Sequence, residues 1–326
     1  MREPSFVTGG SGFIGGVLIE RLVGEGRPVR ALARSDDSAA KVEGLGAEAV
    51  RGDLGDRASL AAGAAGCATA FHLAAQLGEW GPWEDFERGN VEGTRNALAA
   101  CAEAGVDRFV HCGTEAALMA GEPLVHVDET APLRPDSPAP YPATKARAEL
   151  AVREASRDGF ETVAVRPRFV WGKGDTTLLP GMVETVEAGK WAWVGGGVNV
   201  TDTAHVDNVV EGLLLGAEKG RPGEAYFITD GKPVVFREFI TALLETQGIE
   251  PPDRSLPGWV AAPMARVCEA AWRILPLSGE PPMTRFRSWI LTQECTIEIG
   301  KAREQLGYEP LVSHQQGLAA MSAGAD

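Results

Sequence analysis

Tyr141 and Lys145 stand four residues apart in Tyr141-Pro142-Ala143-Thr144-Lys145, a run that opens a helix. At that spacing both side chains leave one helical face, so a phenol and an ammonium can meet the same ligand. A free phenol titrates near about 10, and a neighbouring positive charge lowers it toward working pH, which makes the pair a candidate proton donor and acceptor. Upstream, the apolar strand Arg108-Phe109-Val110-His111-Cys112 delivers Gly113 and Thr114 at its carboxyl end. A hydroxyl there can hydrogen-bond a substrate oxygen. The plain alternative is a half-buried Tyr141 beside a Lys145 whose stem snorkels over the surface. With only three tyrosines in the chain, the coincidence of phenol, ammonium and strand-end hydroxyl favours chemistry.

The element that must bring a ligand to these groups lies at the start of the chain, in Val7-Thr8-Gly9-Gly10-Ser11-Gly12-Phe13-Ile14-Gly15. An apolar strand runs through three spaced glycines straight into a helix with Phe13, Ile14, Val17, Leu18, Leu22 and Val23 on one face, ending near Gly24 and Gly26. Gly9, Gly12 and Gly15 suit a sharp turn, close backbone approach to a pyrophosphate, and tight packing of helix on strand. The helix N-terminus, at Ser11, Gly12, Phe13 and Ile14, then points its free N–H groups at the phosphates. Glycine-rich turns are common, but in this strand-to-helix context the loop predicts dinucleotide binding.

A second strand, Val29 to Ala33, ends in Arg34 and Ser35. A carboxylate at that end would accept from the ribose 2′-OH of NAD; the cation found instead suits a 2′-phosphate, so NADP(H) is favoured over NAD(H). Arg34 as a solvated turn residue is the alternative. After a third strand (47–50), Asp53 or Asp56 can cap the next helix. The fourth strand (68–73) ends in Ala74-Ala75, small enough for a ligand to approach, and His72 within it reads as a packed core residue. Residues 77–88 read as a mobile loop near the site mouth.

The spacing G-x-x-G-x-x-G behind Thr8 resembles the extended branch of the short-chain dehydrogenase/reductase superfamily (NAD-dependent epimerase/dehydratase type), closest to its 3β-hydroxysteroid dehydrogenase-like group. The likeness runs from Thr8 to Lys301-Ala302-Arg303-Glu304-Gln305-Leu306-Gly307-Tyr308-Glu309-Pro310. It implies that Tyr141 and Lys145 are the catalytic pair at the nicotinamide ribose, and that Thr114 replaces the usual Ser. It further implies that Asp53 and Leu54 cap the adenine, that Leu73, Ala74 and Ala75 lie against the cofactor, and that Asn90 is structural. Arg166-Pro167-Arg168-Phe169-Val170-Trp171-Gly172 is similar to the family's R-P-x-x-V-x-G, whose backbone, here at Pro167 and Val170, meets the nicotinamide carboxamide. His205-Val206-Asp207-Asn208 is similar to H-V-D-N, with His205 read as an organiser of two lobes and not as a metal ligand.

Strands alternating with helices predict an α/β chain: a Rossmann-type doubly wound parallel sheet with a smaller, mostly C-terminal substrate-binding lobe. The expected division is 1–168 plus 205–229 for the cofactor domain and 169–204 plus 230–326 for the lobe. A formal charge of −14 argues against nucleic acid. Five scattered cysteines without a C-x-x-C pair point to a reducing, cytoplasmic interior and away from zinc. No signal peptide is expected ahead of the first strand, and no apolar run of about 20 residues could span a bilayer. The segment from Trp259 to Leu275, with Val260, Met264, Val267, Ala271 and Ile274, reads as a core or lid helix in preference to a membrane-surface one. A homodimer through two helices is implied by the resemblance.

Three functions fit: an oxidoreductase of hydrophobic secondary alcohols and ketones, a nucleotide-sugar epimerase or dehydratase, and a cofactor sensor without turnover. Sensors of this fold commonly lack the Tyr or the Lys. Nucleotide-sugar members commonly place an Asn and an Arg on the diphosphate where Phe169 and Thr201 stand here, although Arg168 is near enough to substitute. Phe169, Trp171, Trp191 and Trp193 offer an apolar surface for a flat substrate, or else fill the core between lobes.

Overall fold

The computed structural model describes residues 3–275 and 277–323. Its first half alternates β1 (Ser5–Thr8), α1 (Phe13–Gly24), β2 (Val29–Ala33), α2 (Asp36–Gly44), β3 (Glu48–Arg51), α3 (Arg57–Ala64) and β4 (Thr69–His72). A short α4 (Trp83–Phe86) runs through a π-helical turn, Glu87–Glu92, into α5 (Gly93–Glu103). Then come β5 (Arg108–Cys112), β6 (Leu124–Val127), α6 (Pro140–Glu154) and β7 (Glu161–Pro167). The remainder comprises β8 (Val170–Trp171), α7 (Leu179–Glu187), β9 (Trp193–Val194), β10 (Val200–Thr201), β11 (Ala204–His205), α8 (Val206–Lys219) and β12 (Ala225–Ile228). It closes with β13 (Val234–Val235), α9 (Phe236–Glu245), β14 (Ser255–Leu256), α10 (Ala261–Ile274), α11 (Arg285–Thr292), β15 (Cys295–Ile297), α12 (Gly300–Leu306) and α13 (His314–Ser322).

Seven parallel strands form one sheet in the order β3-β2-β1-β4-β5-β7-β12, so the winding direction reverses between β1 and β4. That reversal opens a crevice at the strands' carboxyl ends, where α/β sheets bind ligands. Helices cover both faces: Phe6, Leu60, Ala97 and Phe109 fill one side, while Val7, Leu18, Val110 and Leu213 fill the other. A second, four-stranded sheet, β13-β10-β15-β6, carries the C-terminal lobe and borrows β6 from the first half of the chain.

Several local expectations shift. Ile19 joins Leu18 and Leu22 as the buried face of α1, while Ile14, Val17 and Val23 are only half-buried. Residues 83–88 are helical, not loop. In α10 the buried face is Ala261, Ala265 and Glu269, leaving Val267 and Ile274 exposed. The cause is close contact with α11, where alanines permit the approach and Arg285 pairs with Glu269 at 3.0 Å.

Behind the carboxyl end of β5 lies a buried ion pair. Arg166 on β7 donates to Glu149 on α6 through Nε (3.0 and 2.9 Å) and Nη2 (2.5 Å), with both side chains sealed from solvent. Its guanidinium also lies 5.1 Å from the Phe227 ring, and Glu149 faces Gly113, where a Cβ would stand 3.2 Å from its Oε2. Removing one partner strands the other charge in a low-dielectric core. Glu149→Ala should therefore lower unfolding free energy in urea by about 3–5 kcal/mol, and the double variant Glu149→Leu/Arg166→Met should recover most of it.

Candidate active site

The glycine loop is shaped by its neighbours. Gly9 has φ +74°, and a Cβ there would come within 2.6 Å of the Ala74 nitrogen and 2.8 Å of the Leu73 carbonyl carbon. At Gly15 a Cβ would meet the Gly9 oxygen at 2.1 Å, so α1 sits directly on the turn. Gly12 is different: it is exposed, meets little of the protein itself, and begins α1 with no side-chain cap. A pyrophosphate fits that surface, since first-turn N–H groups face outward there beside half-buried Ser11, Phe13 and Ile14. β4 is brought to the loop by Leu73 N donating to Thr8 O at 3.1 Å and Ala74 N to Thr8 Oγ1 at 3.4 Å, with half-buried Ala75 following.

Arg34 projects from the carboxyl end of β2 into solvent without a hydrogen-bond or ion-pair partner among the described residues. Ser35 is the N-cap of α2, in a reciprocal capping box with Ser38. Asp56 caps α3 through Ala58 N and Ser59 N, which leaves Asp53 exposed with one oxygen accepting from Gly55 N at 2.9 Å. Leu54 beside it is held by Asn96 Nδ2, donating to its carbonyl at 2.9 Å.

His72 lies inside the sheet. Its Nδ1 bonds Thr8 Oγ1 at 2.7 Å and its Nε2 bonds Thr94 Oγ1 at 3.0 Å, while burial drops its pKa to about 3, so it is a neutral tie between β1, β4 and α5. Asn90 accepts from Gln76 N at 2.7 Å and donates to Thr144 Oγ1 at 3.0 Å, fixing the strand exit to α6.

On α6, opened by Pro140 at its first turn, Tyr141 is half-buried and Lys145 is buried. Lys145 Nζ donates to the Cys112 carbonyl at 2.9 Å, and burial lowers its pKa. The Thr114 hydroxyl donates to Glu115 Oε2 at 2.8 Å and accepts from Ala116 N at 3.2 Å. The Tyr141 phenol is raised, first by burial, then by the Glu115 carboxylate and the neighbouring Cys112 thiol, with the Thr114 hydroxyl pulling the other way. In the protein alone this runs against the lowering expected of Lys145 together with an oxidised nicotinamide, and the Lys145 ammonium is turned toward the Cys112 carbonyl.

Sequence reasoning missed several neighbours. Glu115 is buried and paired with Arg168 Nη1 at 2.5 Å; adjacency to Thr114 was its only signal. The Phe286 ring stands 5.7 Å from Tyr141, 145 residues away in sequence, and had none. Glu79, in the loop preceding α4, accepts from Thr284 Oγ1 at 3.0 Å and pairs with Arg287 at 2.7 Å, so that loop is latched to α11.

Pro167, at the end of β7, is buried, and Val170, at the start of β8, is half-buried. Beyond them the aromatics divide. Trp171 and Trp193 belong to the core, with Trp171 Nε1 donating to Asp230 at 2.8 Å and Arg237 lying 5.1 Å from the Trp193 ring. They are therefore not substrate surface; close packing against Phe239 and His205 takes Trp171. Phe169, half-buried at φ +43°, and Trp191 stay at its edge. His205 caps α8 through Nδ1 to Asp207 N at 3.3 Å. The organising group is Asp230, which accepts from Trp171, Thr203, Asn208 and the His205 N–H.

The model of the 3-beta hydroxysteroid dehydrogenase/isomerase family matches residues 6–258. The chain belongs to that family. It is 47% identical over 317 residues to the 4-hydroxy-2-methyl-3-oxo-4-farnesyl-3,4-dihydroquinoline-1-oxide ketoreductase of Stigmatella aurantiaca, covering 97% of this chain and 95% of that one. It is 37% identical to the 2-alkyl-3-oxoalkanoate reductase of Stenotrophomonas maltophilia, covering 98% of each. Among solved structures it resembles the dTDP-glucose 4,6-dehydratase DesIV of Streptomyces venezuelae, solved with NAD bound, at 25% identity and a TM-score of 0.76 over 98% of this chain and 96% of that one. This family member is an NAD(P)-dependent oxidoreductase interconverting hydrophobic secondary alcohols and ketones. Arg168, the group that kept a nucleotide sugar in play, is 2% exposed and committed to Glu115 and Thr201.

Proposed function

We propose that the protein reduces a ketone carried on an extended apolar framework, with Tyr141 as the proton donor, Thr114 and Lys145 as its partners, and NADP(H) preferred to NAD(H). The reading rests on the placement of the Tyr141 phenol between the Thr114–Glu115 turn and the Phe286 ring, with Lys145 on the same helical face. A phenol held protonated by burial suits donation to a carbonyl oxygen. The family's reduced nicotinamide supplies the hydride when bound. Tyr141 then gives its proton to the oxygen as negative charge grows there, and in alcohol oxidation it takes that proton back. The substrates named for the two bacterial relatives, a farnesylated oxo-quinoline and an alkylated 3-oxoalkanoate, are the class we extend to this chain.

For the cofactor, Gly9, Ser11, Gly12, Phe13 and Ile14 would hold the pyrophosphate, Arg34 and Ser35 the 2′-phosphate, and Asp53 and Leu54 the adenine. Leu73, Ala74, Ala75, Pro167, Val170, Tyr141 and Lys145 would line the nicotinamide side. We assign 1–168 plus 205–229 to the cofactor domain and 169–204 plus 230–326 to the substrate lobe, a division supported by β10, β13 and β15 of the second sheet, with β6 joining them from the cofactor domain. A cytoplasmic location is supported by five cysteines that are all free thiols. A homodimer through α5 and α6 is supported by the groove they form, where Ala99, Ala102 and Ala151 would let a second copy approach closely.

Tyr141→Phe should lower ketone reduction by at least about 100-fold while NADPH affinity by calorimetry stays unchanged; retained turnover would refute Tyr141 as the donor. Arg34→Ala should weaken NADPH by about 1.5–3 kcal/mol, roughly one to two orders of magnitude, and leave NADH nearly untouched. Equal affinity of the native protein for both cofactors would sink the NADP(H) assignment. In sedimentation velocity the native chain should run as a dimer and Ala99→Arg as a monomer, whereas a monomeric native chain would count against the interface.

A further inference from the structure

A continuous run of buried polar contacts leads from the second sheet into the site. Thr201 on β10 is fully buried, and its Oγ1 accepts from Arg168 Nε at 3.2 Å and Nη2 at 3.1 Å while donating to the Asp202 carbonyl at 3.2 Å. Arg168 Nη1 reaches Glu115 Oε1 at 2.5 Å, and Glu115 Oε2 takes the hydrogen of Thr114. Phe169, in the left-handed region at φ +43°, turns the chain immediately after Arg168. A bulky residue there is uncommon, and the buried guanidinium on its N-terminal side gives the turn a purpose. Every member of the run is at most 8% exposed. Such a carboxylate is costly to desolvate without its arginine, and with it the Glu115 oxygens are held in fixed directions.

We propose that Glu115, clamped by Arg168, which Thr201 holds in turn, is a positioning residue for the reaction: it fixes the Thr114 hydrogen and sets a negative charge beside Tyr141. This rests on Tyr141 being the proton donor. The Thr114 hydroxyl has one hydrogen, and with that hydrogen on Glu115 and one lone pair on Ala116 N–H, the oxygen presents a lone pair to the site. The substrate ketone then has Tyr141 as its donor, and the Thr114 oxygen lies next to the phenol. The groups acting on Tyr141 are Glu115, Cys112 and Thr114 from β5 and the turn after it, with the uncharged Phe286 ring from α11 packed beside it, while the Lys145 ammonium on its own helix is turned to the Cys112 carbonyl. Glu115 is the carboxylate among them, and its charge disfavours phenolate. The phenol therefore stays protonated at neutral pH, which favours ketone reduction over alcohol oxidation.

The test is Glu115→Gln, which keeps shape and removes charge. The chain has three tyrosines, so carbon-13 labelling at Cζ gives three signals, and the one missing in Tyr141→Phe belongs to Tyr141. Without the Glu115 charge, the Tyr141 titration should move down by about one unit or more. The pH limb for alcohol oxidation, which needs phenolate, should move down with it, and ketone reduction should fall away at lower pH than in the native enzyme. Loss of the fixed Thr114 orientation should lower kcat between about tenfold and a hundredfold, with KM changed less. If Glu115→Gln folds poorly, Glu115→Gln/Arg168→Met removes both charges and should move the Tyr141 signal in the same direction. An unmoved Tyr141 signal with unmoved pH limbs would overturn the proposal. Should Tyr141→Phe itself retain turnover, the donor assignment fails instead, and the two failures are told apart.

Discussion

The register of β1 against β4 is the constraint on which the site depends. Thr8 stands opposite His72, so the loop after β1 and the chain after β4 leave the sheet at the same level and on either side of the reversal in strand order. The backbones approach closely enough that a methyl group at Gly9 would strike Ala74. The Thr8–His72–Thr94 contacts hold that level with neutral hydrogen bonds, since burial keeps the imidazole uncharged. A slip of one residue would turn the inward side chains outward and withdraw the glycine loop from the crevice.

β5 and β7 continue the same logic. Cys112 pairs with Val165 in the parallel register, and its carbonyl anchors Lys145 from α6. Thr114 emerges beyond that point, beside a phenol presented by the first turn of the same helix. The constellation proposed to be catalytic is thus assembled from two strand ends and one helix start, each fixed by contacts that do not involve substrate.

Several of the buried charges are paired or hydrogen-bonded at joints between elements. Arg166–Glu149 fastens α6 to β7, Arg168–Glu115 fastens the β7 exit to the β5 exit, and Asp230 gathers donors from β8, the strand leading into α8, and α8 itself. Burial pushes the Asp230 carboxyl up, but His314, the His205 N–H, Thr203 and Trp171 outweigh it, and the group is held low. Pairs of this kind gain little net stability over apolar packing, yet they are unforgiving of misplacement, because an unpaired partner would be stranded. The lobes are consequently joined by directional contacts, with aromatic packing around Trp171 and Phe239 filling the space between.

The sequence by itself determined the order of strands and helices in the seven-stranded sheet, the glycine loop after β1, and the spacing that puts Tyr141 and Lys145 on one helical face downstream of Thr114. Those signals are local: glycines at fixed offsets, apolar runs of strand length, and two side chains one helical turn apart. β5, β12 and α9 begin and end where the apolar pattern placed them, at Arg108–Cys112, Ala225–Ile228 and Phe236–Glu245. Only the tertiary structure decided what surrounds the phenol. Phe286 arrives from a helix 145 residues onward, Glu115 acquires its meaning from Arg168, and Trp171 and Trp193 turn inward to the core. The buried face of α10 was equally hidden, because its close fit to α11 selects alanines over the larger apolar residues. Spacing along a chain fixes which side chains share a face, whereas electrostatic surroundings and burial depend on segments distant in sequence, so the carboxylate and the ring beside Tyr141 came only with folding.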